Sequence, residues 1–235
     1  SGHMQGQLVA EEQPAKMAAA EALCETTTGA GFSALAFGSC EDGVVHLIEV
    51  PGVYSFMATN YPGATMPGLS DLQDSYARAY GATDTAGNPV DYTPDVMVTF
   101  WSFRMMIGLG TVSVGVGAVI LWLSRRDRLI TTRLWARVAL WTMPLPFIAA
   151  SFGWIFTEMG RQPWLVAGVM PTEAGISPTA STGDVLFSLI VYTLLYGLLA
   201  VIEVGLFLHY TAKGLPEVTE PTVSEDPDAP MSFAY

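Results

Sequence analysis

The sequence predicts an all-α membrane protein: three transmembrane helices that belong to a larger helical bundle, preceded by a loop-rich extracytoplasmic region. Three observations carry this. Of 235 residues, 51% are hydrophobic and 14% charged, against about 25% charged in an ordinary soluble domain. Long runs nearly free of charge occur three times in the second half of the chain. The formal charge of −12 is unevenly distributed, with 12 acids and 2 bases in residues 1–97, 5 acids and 7 bases in residues 98–210, and 5 acids and 1 base in residues 211–235. So acidic a chain lacks the basic footprint of nucleic-acid binding, which excludes DNA and RNA as partners.

Residues 1–97 form the outer region. Within it, residues 13–23 (QPAKMAAAEAL) predict a helix, with Pro14 suited to the first turn and alanine filling the body. A second helix is predicted from Ser70 to Tyr80, where Ser70 and Gln73 have capping-box spacing. The remainder reads as glycine- and proline-punctuated loop without internal repeats. Its most apolar stretch, residues 46–60 (HLIEVPGVYSFMATN), is expected as a layer on the membrane surface. Cys24 and Cys40, the only two cysteines, both fall in this region, where an oxidising compartment favours a disulfide over two unrelated buried thiols. Closing that loop is worth about 3 kcal/mol in the chain-entropy account. The first 20 residues lack a basic start and an apolar run, so export of the outer region is expected to depend on spans upstream of Ser1.

The membrane spans follow. Residues 98–123 contain one charge, Arg104, in 26 positions, a helix of roughly 39 Å for a hydrocarbon core of about 30 Å. Residues 138–158 form the second span, in which Pro144 and Pro146 predict a bend. Residues 185–209 form the third, broken only by Glu203. The loop at 124–137 holds Arg125, Arg126, Arg128, Arg133 and Arg137, and is therefore expected on the cytoplasmic side. The 159–184 connection then faces outward. The acidic, proline-rich tail at 210–235 faces inward and is expected to be disordered.

The second span ends in GWIFTEMGRQPW, residues 153–164. Trp154, Glu158 and Arg161 can share one helical face, and an ionisable residue at the edge of hydrocarbon marks a functional site. On spacing alone, an interfacial ion pair within an aromatic belt is an equal reading.

GRQPW with a Glu three residues before its Arg closely resembles the signature of cytochrome bd quinol oxidase subunit I. The resemblance implies that Glu158 is an axial ligand of a high-spin haem b adjoining haem d, with Trp154 near the macrocycles and Arg161 neutralising propionates. FWSFRMMIGLG, residues 100–110, resembles a second family segment; it implies that Met106 ligates a low-spin haem b and that Arg104 holds a propionate. A thioether ligand raises the potential relative to bis-histidine ligation. VAEEQPAKMAAAEA, residues 9–22, resembles the start of the family's outward quinol-binding loop and implies roles for Lys16 and Glu21 in quinol oxidation. A cation polarises a quinol oxygen while a carboxylate accepts its proton. Five residues turn a helix by about 500°, so these two side chains need a loop contribution to meet one small ligand. Glu12 and Lys16 could instead form a solvated i,i+4 pair.

The resemblance covers nearly the whole chain but only the carboxy-terminal half of the family's subunit I. It implies three haems (low-spin b, high-spin b and d), a multi-pass place in the bacterial cytoplasmic membrane, and dioxygen reduction to water with a proton motive force. Implied partners are the amino-terminal half, subunit II, small single-span subunits and membrane lipid. The two histidines it requires would lie in the other half, since His3, His46 and His209 match no family context. Two rival readings stand beside it: a cofactor-free membrane anchor, and a transporter fragment using Glu158 and Glu203 as proton carriers.

Overall fold

The computed structural model describes residues 2–84, 87–125, 132–175, 177 and 179–214, in two compact units, Ser1–Ile176 and Ser177–Tyr235. The expected disorder of 210–235 lies almost wholly outside the described residues.

The outer region begins with α1 (Gly2–Glu12) and α2 (Pro14–Ala20), separated at Gln13, with Pro14 opening α2 as its fixed φ favours. From Ala15 to Ala20 every residue of α2 is buried. Alanine is what permits this: Ala15, Ala18 and Ala19 lie against Leu69 and Leu72, while Met17 packs with Ala30, Tyr54, Ala58 and Met66. The break at Gln13 places Glu12 and Lys16 on different helices, and Lys16 is only 8% exposed. The solvated Glu12–Lys16 pair is therefore not formed.

After α2 come β1 (Thr27–Thr28), β2 (Phe32–Ser39), β3 (Gly43–Val50), α3 (Val53–Thr59), β4 (Thr65–Met66) and α4 (Leu69–Tyr80). Strands β2 and β3 form an antiparallel hairpin from Phe32↔Val50 to Ser39↔Gly43, with register irregularities around Leu35; β1 pairs with β4. This hairpin replaces the loop expected from sequence, and the 46–60 stretch is divided between β3 and α3 rather than forming one layer. Tyr54, Ser55 and Ala58 bury one side of α3. Cys24 and Cys40 are bonded, with Cα atoms 5.4 Å apart, tying the segment after α2 to the end of β2.

The capping box expected at Ser70 is absent. Gly68 caps α4, and the Gln73 amide instead bridges two loop groups, donating to the Val90 carbonyl at 2.7 Å and accepting from the Tyr92 N–H at 2.7 Å. A long-range loop outcompeted the local cap.

Among the described residues, three helical segments are long and apolar enough to cross a membrane. The first, α5 (Val96–Leu123), starts where the Asp95 carboxylate accepts from the Val98 N–H at 2.8 Å. The second is interrupted: α6 (Arg133–Thr142) and α7 (Leu145–Met159) meet at Met143–Pro144, where the prolines predicted a bend. Helix α6 begins at Arg133. After α7, β5 (Trp164–Val166) and β6 (Met170–Pro171) form a small antiparallel ribbon that leads into a 3₁₀ turn, Thr172–Gly175.

The second unit contains α8 (Thr182–Lys213). Its start is a capping box that sequence inspection missed, in which the Asp184 N–H donates to Ser181 Oγ at 3.2 Å and the Ser181 N–H to the Asp184 carboxylate at 3.1 Å. Glu203 lies within α8.

Candidate functional site

Helices α5 and α7 carry Arg104, Met106, Trp154 and Glu158, with Arg161 in the turn after α7; Lys16 lies on α2 and Glu21 caps its C-terminus. The structure sorts these into two clusters.

The first is built on Arg104. Its Nη2 donates to Glu21 Oε2 at 2.5 Å and its Nε to the Ser33 carbonyl at 2.5 Å. The Arg104 and Glu21 side chains are 8% and 4% exposed. Ser33 also donates its backbone N–H to Glu21 Oε2 at 3.1 Å, so both main-chain groups of this residue, beside a register irregularity of β2, serve the pair. Phe32, Phe100 and Phe103 surround the guanidinium, their ring centroids 4.3, 4.5 and 5.2 Å from Cζ. Burial pushes the Glu21 carboxyl up to about 7, against the opposing pull of Arg104 and the Ser33 N–H. Desolvation wins because the carboxylate has lost nearly all its water.

The second cluster gathers around Lys16. Its ammonium donates to the Thr157 carbonyl at 3.4 Å and sits 4.9 Å from the Phe156 centroid. Burial and then repulsion from Arg161 push this lysine below its ordinary range, with Glu158 pulling the other way. Glu158 and Arg161 form a charged hydrogen bond, and Arg161 Nη1 also donates to the Leu165 carbonyl at 3.4 Å. Trp154, one helical turn before Glu158 on α7, is 70% exposed. Beside Lys16 and Arg161 opens a cavity of about 330 Å³ whose far wall is Tyr76, Tyr80, Tyr92 and Trp164. Trp164 stacks on Tyr92 at 5.4 Å and meets Tyr80 edge-on at 4.9 Å.

The two clusters are joined by one aromatic pair. Phe156, beneath Lys16, stacks on Phe103, beneath Arg104, with centroids 4.7 Å apart. Lys16 thus lies against Phe156, while Glu21 is bonded to the Arg104 guanidinium that covers Phe103. The residues that sequence reasoning missed are Ser33, Phe103, Phe156 and the tyrosine wall. Ser33 and Arg104 are separated by 71 positions, and no local pattern signals such a pairing.

The haems implied by the resemblance can be tested against these residues. Among the described residues, Arg104 Nη1 and Arg161 Nε are buried N–H groups with no hydrogen-bond partner. Each arginine thus keeps a donor for a further anion, as a propionate requires. The Met106 sulfur lies over Gly153, where an added Cβ would meet it at 2.9 Å, so an absent side chain on α7 makes its room. Glu158 is 46% exposed and retains acceptor capacity beyond Arg161. The set fits two irons each taking one ligand from this chain. No group of three or more His, Cys, Asp or Glu forms a metal site of its own among the described residues.

The chain is similar to known proteins along most of its length. The chain is 38% identical over 216 residues to cytochrome bd ubiquinol oxidase subunit 1 of Bacillus subtilis (strain 168), covering 91% of this chain and 45% of that protein. It is 40% identical over 121 residues to cytochrome bd-II ubiquinol oxidase subunit 1 of Escherichia coli (strain K12), covering 52% and 23%. The solved bd oxidase from Geobacillus thermodenitrificans superposes with a TM-score of 0.69 at 28% identity, over 91% of this chain and 45% of that one. The chain therefore spans less than half the length of the relatives it matches. Residues 1–215 match the family model for cytochrome bd terminal oxidase subunit I, and the chain belongs to that family.

Proposed function

We propose that this chain forms part of a terminal oxidase complex of a bacterial cytoplasmic membrane, in which quinol is oxidised and dioxygen reduced to water. What supports this reading is that two groups under one-tenth exposed flank the Phe103–Phe156 stack: Lys16 over Phe156, and Glu21 bonded to the Arg104 guanidinium over Phe103. A quinol has its two oxygens at opposite ends of a flat ring. With that ring along the phenyl pair, Lys16 holds and polarises one oxygen, since its ammonium has donors beyond the one given to Thr157. Glu21 accepts the proton from the other. Arg104 keeps the carboxylate aimed and restrains its charge.

Met106 and Glu158 would each ligate a haem iron, with Arg104 and Arg161 neutralising propionates; when bound, the haems supply one-electron transfer and dioxygen chemistry. A third haem, of the d type, would take its protein ligand from the amino-terminal half. That half, subunit II and small single-span subunits are the proposed partners. The arginine-rich connection before α6 is assigned to the cytoplasm, and the outer region and the 159–184 connection to the opposite side. Release of quinol protons outside, with uptake for water formation from inside, generates a proton motive force.

Oxygen consumption on adding quinol to the purified complex, together with haem b absorbance, tests this. A complex lacking haem b would favour a cofactor-free anchor; a haem-bearing complex that consumes no oxygen with quinol would overturn the substrate.

A further inference from the structure

A carboxylate that takes up a proton at every turnover must also release it, and Glu21 at 4% exposure has no solvent of its own. Its bonded neighbours are Arg104 and the N–H of Ser33. A guanidinium has no acceptor and cannot pass a proton on. Ser33 can, through its hydroxyl: the residue is 1% exposed, and the same residue whose N–H holds Glu21 places Oγ 2.9 Å from Nδ1 of His46. With Oγ kept on Nδ1, the route requires a rotation of the protonated Glu21 carboxyl, whose Oε2 already lies on the N–H of the same serine. His46 lies on β3, is exposed, and borders a second cavity of about 350 Å³ that Glu25 and Thr27 also line. From Glu21 to Ser33 to His46 the chain thus runs from sealed interior to open water.

We propose that Ser33 and His46 are the exit route by which the proton taken from quinol leaves Glu21 for the outer solvent; this rests on the quinol-oxidising reading above. The transfer balances without electrons. Protonated Glu21 gives its proton to Ser33 Oγ as the Ser33 hydroxyl gives its own to His46 Nδ1, and the resulting imidazolium releases a proton from Nε2 to water. Ser33 ends as it began. Imidazole is the side chain suited to such exchange near neutral pH. The charged groups around this route are Glu25 across the cavity, Glu49 on β3, and Glu21 with Arg104 behind Ser33.

The test uses the whole oxidase. His46→Gln should keep wild-type haem content and quinol KM while kcat falls roughly tenfold, a modest share of what positioned proton transfer contributes. Imidazole added to the outer buffer should restore the rate. Ser33→Ala, which keeps the backbone N–H on Glu21, should slow turnover in the same way. An active enzyme in which His46→Gln turns over like the wild type overturns the route, and so does a slow variant that imidazole does not rescue or that has lost haem. A wild-type complex that fails to oxidise quinol would instead bring down the functional reading beneath it.

Discussion

Arg104 and Glu21, 83 residues apart in sequence, form a buried ion pair at 2.5 Å that fastens the end of α2 to the outer part of α5. Removing one partner of such a pair leaves an uncompensated charge in a dry site, at a cost of about 3–5 kcal/mol. Glu21→Ala should therefore lower the thermal unfolding temperature of the purified complex. A like melting temperature would show that the pair contributes nothing to stability.

The raised carboxyl of Glu21 sets two pH dependences. Quinol oxidation requires the ionised form as proton acceptor, so the rate should rise with pH through about 7. Stability runs the other way. Between the ordinary value of 4.5 and about 7 the folded protein holds this proton more tightly than the unfolded chain, so stability falls as pH rises through that window and is level above it. Glu21→Gln should remove both slopes, measured as initial rates and as melting temperatures across pH.

Gly160 lies where an added Cβ would meet the Phe156 carbonyl oxygen at 2.8 Å and Lys16 Cγ at 3.0 Å. The backbone cannot yield easily, so Gly160→Ala should displace the lysine. Quinol KM should rise several-fold with haem content unchanged, and steady-state kinetics beside an absorbance spectrum would check it.

Met106→Leu keeps volume and loses sulfur. Low-spin haem absorbance should vanish while high-spin absorbance remains. Gly153→Ala should perturb the same band, because the new methyl group occupies the place of the Met106 sulfur.

Reduction of Cys24–Cys40 should loosen the outer region by about 3 kcal/mol. Limited proteolysis with and without reductant should then show earlier cleavage within the first 97 residues, while the spans stay protected.

The spans were legible because hydropathy and length are one-dimensional properties, and Pro144 announced its own bend. The cysteine pairing was legible because only two candidates share one region. The hairpin at 32–50 was not, since its strands have no clean alternation and β3 leaves Val45, Leu47, Ile48 and Val50 exposed. The capping box was sought at Ser70 and found at Ser181, because the side chain of Gln73 had a competing partner in a loop 17 residues away. For the site, motif resemblance located individual residues but not their company. The resemblance gave Glu21 a role shared with Lys16 and gave Arg104 a propionate; that Glu21 and Arg104 hold each other follows only from the way the hairpin brings Ser33 onto α5.

Helix α5 has 28 residues, about 42 Å of helix for a hydrocarbon layer of about 30 Å. The excess is taken up by tilt or by projection beyond the hydrocarbon, and the balance between them depends on the acyl chains around it. Since the arginine that holds Glu21 sits on this helix, a membrane that thickens or thins with growth temperature would shift the guanidinium against the carboxylate without any change in the protein.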